Sequence, residues 1–173
     1  MRPALVRRPP LVLVFVAILM IALGQTAGAV MSQASQGTAR YARARILANA
    51  PAHGLAGSRE YDDEVISRAV FSTEAGLSFL HLHAEGLGPV ILLAATLVAT
   101  AVPRRRARGA LYILLVAGAL FPLGFLVYAV AVPEIGRDAG IAMAERFVLA
   151  PLGTAALLGL VGLAVFLRRP PST

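Results

Sequence analysis

The chain has 173 residues, 58% of them hydrophobic, a net charge of +7 and no cysteine, and its 16 basic residues are all arginine. Soluble globules carry about 45–50% apolar residues, so the composition assigns an integral membrane protein. The missing cysteine excludes disulfides, thiolate catalysis, iron–sulfur clusters and covalently attached c-type haem within the chain.

Four apolar segments, residues 11–31, 75–102, 109–132 and 147–167, are long enough at about 1.5 Å per residue to cross a hydrocarbon core of about 30 Å. Arg2, Arg7 and Arg8 precede the first. Arg104, Arg105, Arg106 and Arg108 fill the turn between the second and third, and Arg168 and Arg169 follow the fourth, with no acid at any of these sites. The positive-inside rule therefore places both termini and that turn in the cytoplasm. The exclusive use of arginine reads as the coding bias of a GC-rich genome. The expected architecture is an all-α integral membrane four-helix bundle in a bacterial inner membrane. Its expected partners are the lipid bilayer and either another membrane subunit or further copies of the chain. Nucleic acid is excluded as a partner, since it requires a basic face on a soluble module, whereas these arginines bracket apolar segments.

Residues 1–31 admit two readings. The Arg-rich start, the run Leu11 to Leu23 and the trio Ala27-Gly28-Ala29 fit a secretory signal peptide cleaved after Ala29. The apolar character continues through Val30 and Met31, which favours a retained first transmembrane helix. Either way residues 32–74 form an external segment, and residues 75–173 a three-helix transmembrane region. In the external segment, Tyr41, Ala44 and Ala48 share one side and Arg40 and Arg43 another, which predicts a short surface helix from Thr38 to Asn49, ended by Pro51 and Gly54. A second helix starts near Asp62 or Asp63, with Val65, Ile66, Ala69 and Val70 as its apolar stripe. His53, between Pro51 and Gly54, reads as a solvated loop histidine.

The next helix carries the most informative residues. Ser72 is its expected cap, with Glu74 in the first turn where the helix dipole favours an anion. His81, His83 and Glu85 follow one to three turns in, at the edge of an apolar run. Ionisable groups there persist mainly where they face protein, water, a metal or a cofactor. Successive residues turn by 100°, so His81 and Glu85 project from one side and His83 from nearly the opposite one. One regular helix therefore cannot give all three to a single metal. It offers either a His81–Glu85 clip or two histidines serving different neighbours. Gly86, Gly88 and Pro89 then predict a groove beside the histidines or close helix packing.

The stretch His81 to Gly88, a His-x-His pair followed by small residues and a Leu-Gly step, resembles the ligating helices of the haem–copper oxidase superfamily and of nitric-oxide-response membrane proteins with a His-Ala-His helix. The resemblance implies that His81 or His83 ligates the iron of a haem b, with the second axial position empty or supplied from elsewhere. It covers about eight residues, and the further membrane histidines that would hold copper are missing.

Glu134, Arg137, Asp138, Glu145 and Arg146 fall in the short external connection between the third and fourth helices. Arg146 is the candidate partner of Glu85 or of a haem propionate, because a planar guanidinium grips a carboxylate at two points. Tyr112 and Tyr128 read as packing aromatics. Pro122 with Gly124 and Pro151 with Gly153 predict bends in the last two helices, and Ala155 with Gly159 a small-residue contact. The cytoplasmic half has no acid or histidine from which a proton path is built.

Three expectations follow. The first is a subunit that binds haem or a divalent transition metal near the outer face through His81, His83 and Glu85, with Arg146 against a propionate, for electron transfer or ligand sensing. The second is a non-enzymatic accessory or assembly subunit whose polar cluster bonds to a partner inside the bilayer. The third is a component of divalent-metal uptake, receiving an ion at His81 and Glu85.

Overall fold

A computed structural model describes residues 7–168; Arg2 and Arg169, part of the charge pattern above, lie outside the described residues. All regular structure among these is helical: α1 (Leu11–Ala48), a 3-10 turn (Ala50–His53), α2 (Arg59–Ala101), α3 (Arg105–Ala119), α4 (Leu123–Ile135), α5 (Arg137–Ala144), a π turn (Glu145–Leu149) and α6 (Ala150–Arg168). They form four helical stretches long and apolar enough to cross a membrane: Leu11–Ala48, Arg59–Ala101, Arg105–Ile135 and Arg137–Arg168.

α1 and α2 make a long antiparallel hairpin against which the other helices pack. Near the Arg104 turn, Leu13 and Ala17 of α1 meet Ile91, Ala95 and Val98 of α2, with Leu111 and Leu115 of α3 and Leu163 of α6 closing the cluster. Midway, Ala27 packs with Leu80 and Ala84, flanked by Leu23, Phe125 and Leu126. A third cluster at the far end joins Ile46, Ile66, Ala69 and Val132. Outward faces stay apolar: Phe15, Leu93, Ile113 and Leu157 are 66%, 63%, 72% and 65% exposed.

Several expected boundaries are corrected. The helix expected from Thr38 to Asn49 forms as the far part of α1, which kinks at Ala34 (φ −125°, ψ 19°) and runs on to Ala48. Residues 32–36 contain no proline or glycine to stop it, and the far end of α2 supports it through Ile46 on Ile66 and through Arg43, 3.1 Å from Asp63. Likewise α2 begins at Arg59, not at Asp62 or Ser72. The Asp62 carboxylate does accept amide protons, from Ala56 and Gly57 at 2.9 Å, but these belong to the preceding loop. Ser72 and Glu74 lie in the interior of α2, and the Ser72 hydroxyl donates to Arg68 O, so it caps nothing.

The bends also fall where backbone chemistry puts them. Pro122 lacks an N–H, and around it Leu120 N and Phe121 N bond to Ala117 O and Gly118 O three residues back, which separates α3 from α4. In the fourth stretch the π turn Glu145–Leu149 lies just before Pro151, whose missing N–H takes a donor from the carbonyls of the preceding turn. Between α4 and α5 the expected loop is one residue, Gly136, at φ +94°. A Cβ there would stand 2.5 Å from Ala52 O. Gly136→Ala therefore lowers stability by about 2 kcal/mol, readable as a drop in unfolding midpoint in detergent.

Candidate functional site

His81, His83 and Glu85 of α2 separate onto two faces, as the 100° turn requires. His81 faces α1. Its Nδ1 is 3.1 Å from Gly24 O and 2.9 Å from Glu85 Oε1. Both neighbours are acceptors, so in the neutral ring Nδ1 carries the proton and Nε2 the lone pair. One proton serves two oxygens poorly. It is aligned on the Gly24 carbonyl, and Glu85 Oε1, shielded from solvent, receives no aligned hydrogen bond despite its proximity.

Glycines let α1 come this close. A Cβ on Gly28 would stand 2.8 Å from His81 Cε1 and 2.9 Å from Nδ1, and one on Gly24 would be 3.0 Å from the Cβ of Ala84. Gly88 is filled by Ile21, whose Cγ1 would be 2.5 Å from an added Cβ. Of the two readings of Gly86 and Gly88, the structure therefore has packing at Gly88; Gly86 faces open space.

His83 points the other way, into a ring cluster at the α3–α4 break. Its Nδ1 donates to Phe79 O at 2.8 Å. Its ring centre is 4.6 Å from Phe125, 5.7 Å from Phe121 and 6.2 Å from Phe79. The side chain is exposed, and Nε2 again holds the lone pair.

Arg146 is not brought to this site. It lies exposed in the π turn with its guanidinium 5.6 Å from the centre of the Phe147 ring, and the charge partner of Glu85 is His81. Glu134, Arg137 and Asp138 of the same connection are engaged elsewhere, while Glu145 is exposed. Arg45 grips Glu134 with Nε at 2.6 Å and Nη2 at 2.5 Å, Asn49 donates to the same carboxylate at 3.2 Å, and His53 Nε2 is 3.1 Å from Pro133 O. Arg137 donates to Ser72 Oγ at 3.1 Å and to Asp138 at 2.8 Å. His53 is thus a tie between the 3-10 turn and α4, a role invisible without knowing which helix end lies beside it.

This polar knot lies beyond the apolar segments 11–31 and 109–132 and depends on pH in a definite direction. The Arg45 hydrogen bonds hold the Glu134 carboxyl below the usual carboxylate range, against a smaller opposing effect of desolvation. A depressed folded pKa contributes stability that is present above the unfolded value and lost as pH falls through the folded one. Amide exchange at residues 49–54 should accordingly be flat near neutrality and rise only below the ordinary carboxylate range.

As a cofactor site the arrangement is selective. His81 Nδ1 and Glu85 Oε1, 2.9 Å apart, are two ligand atoms on one side of α2, and an ion taken there would replace the Nδ1 proton and need further ligands from elsewhere. A macrocycle does not fit against the His81 face that Gly28 occupies. Among the described residues no three His, Asp or Glu side chains converge to hold a metal ion. His83 Nε2, exposed beside Phe79, Phe121 and Phe125, fits an iron or metal approaching from outside the bundle. Comparison with known proteins finds no matching family model, no matching curated protein and no matching solved structure.

Proposed function

We propose that the chain is a non-enzymatic accessory or assembly subunit of a membrane complex. In this reading four helical stretches span a bacterial inner membrane, with the Arg104 turn in the cytoplasm and the Arg45–Glu134 knot outside. The carrying observation is the engagement of the ionisable residues within the chain itself. His81 and Glu85 sit in the α1–α2 seam, and the Nδ1 of His83 is satisfied by Phe79 O. A catalytic or transporting site needs groups that converge on a substrate, and these diverge. His83 Nε2 is exposed and able to bond a partner subunit at the bundle surface. Purification from native membranes in mild detergent tests this. The expected result is a membrane protein that co-purifies in fixed ratio and is lost in His83→Ala. A chain that runs alone from crosslinked and uncrosslinked membranes alike would contradict it.

One observation favours a second reading: the free, exposed Nε2 of His83 beside an apolar ring wall. There His83 would ligate a haem b or a divalent transition metal, with the remaining ligands from another chain. The group would supply electron transfer or ligand sensing near the outer face. His81 would serve only to position α2, and Arg146 would meet a propionate only from a neighbouring copy.

A further inference from the structure

Just past the end of the apolar run of α1, α1 and α2 part around a groove of about 470 Å³. It opens beside Ala34, where α1 leaves helical geometry. Met31, Phe71 and Phe79 form its apolar wall, and the two phenylalanines are 71% and 42% exposed.

Four polar side chains line the same groove: Thr38, whose hydroxyl is committed to Ala34 O, and three with no such bond. Glu74 is half-buried, and unlike Asp63, Glu64, Glu134 and Asp138 it makes no hydrogen bond or ion pair among the described residues. Ser35 and Ser78 keep their hydroxyls free. Thr26, Thr38, Ser72, Thr73, Thr96 and Thr100 instead return theirs to the carbonyl four residues earlier. In a chain with net charge +7 and arginine in excess, a carboxylate walled by rings and left without a cation has a defined complement. That complement is positive, apolar in body and singly charged, since one carboxylate and two hydroxyls are too few oxygens for a divalent ion.

We propose that this groove binds a lipophilic monovalent cation partitioned in the membrane, its charge against Glu74 and its body between Met31, Phe71 and Phe79. Three effects act together: attraction to a carboxylate in a medium less polar than water, the negative faces of the phenylalanine rings, and burial of apolar surface. The hydroxyls of Ser35 and Ser78 accept hydrogen bonds from any N–H the cation carries. The site shares Phe79 with the ring cluster around His83 but uses neither histidine.

The probe is radiolabelled tetraphenylphosphonium, measured by equilibrium dialysis against the full chain in phosphatidylcholine nanodiscs, with empty discs as baseline. The expected result is one saturable site above baseline, weakened about tenfold or more in Glu74→Gln. Phe71→Ala, a change at an exposed ring outside the core clusters, weakens it as well, and Glu60→Gln, at an exposed carboxyl outside the groove, leaves it intact. Tetraphenylborate, similar in shape and opposite in charge, shows no excess binding. Undiminished binding in a Glu74→Gln variant of normal thermal stability would overturn the proposal, as would equal binding of the borate. It would also be overturned if Glu74 served a second copy, seen as self-association lost in Glu74→Arg and restored by adding Arg146→Glu.

Discussion

Gly118→Leu lowers the stability of the bundle by about 3 kcal/mol. A Cβ on Gly118 would stand 2.5 Å from the Cα and 2.8 Å from the backbone nitrogen of Ala156. Backbone atoms cannot turn aside as a side-chain end can, so α6 must move away from α3. The loss spreads along the contact, because Gly159 and Leu163 of α6 lie buried on the same face. Close packing holds these helix faces together, and a separation of about 1 Å already forfeits up to about half of each contact. The measurement is chemical or thermal unfolding in detergent, with Gly86→Leu as the control: nothing lies within 4 Å of a Cβ there, and the expected change is within about 0.5 kcal/mol.

A second large effect concerns the α1–α2 seam. His81→Leu removes the donor to Gly24 O and the nitrogen beside Glu85, leaving a shielded carboxyl oxygen among apolar neighbours. The expected loss is about 2 kcal/mol. Glu85→Leu behaves differently. Its Oε1 already lacks an aligned bond, so replacing the carboxyl by a side chain of similar bulk is close to neutral. The double variant His81→Leu/Glu85→Leu recovers most of the single loss, a coupling of about 1–2 kcal/mol in a double-mutant cycle. Strictly additive single effects would mean the two side chains do not act on one another.

Much of this was legible in the residues. Hydropathy locates the four helical stretches that are long and apolar enough to cross a membrane. The helical turn angle alone separates His83 from His81 and Glu85. The partners were hidden, since Gly24 O and the Phe121–Phe125 pair lie 57 or more positions from His81 or about 40 from His83 along the chain, and only the packing of α1 and α4 on α2 brings them close. The polar extensions of α1 and α2 were read as loop and short helices because polarity without membrane length looks like connection. What makes them helix is mutual support, Ile46 on Ile66 and Arg43 on Asp63, across a hairpin that local pattern does not announce. Glu74 carried a misleading signal: an acid after a serine resembles a helix start, whereas the helix had begun at Arg59. Ser35 and Ser78 gave no signal, because a helical serine usually bonds to its own backbone.

The claim at the centre of this account is that the His81, His83 and Glu85 cluster is engaged within the chain and in contact with a partner, rather than occupied by a cofactor. An absorption spectrum with metal analysis of the protein, purified in mild detergent from cells supplied with haem precursor and transition metals, tests it most directly. The account predicts no Soret band and only trace metal. A stoichiometric haem or metal that disappears in His83→Ala, while the variant keeps its thermal stability, would contradict it.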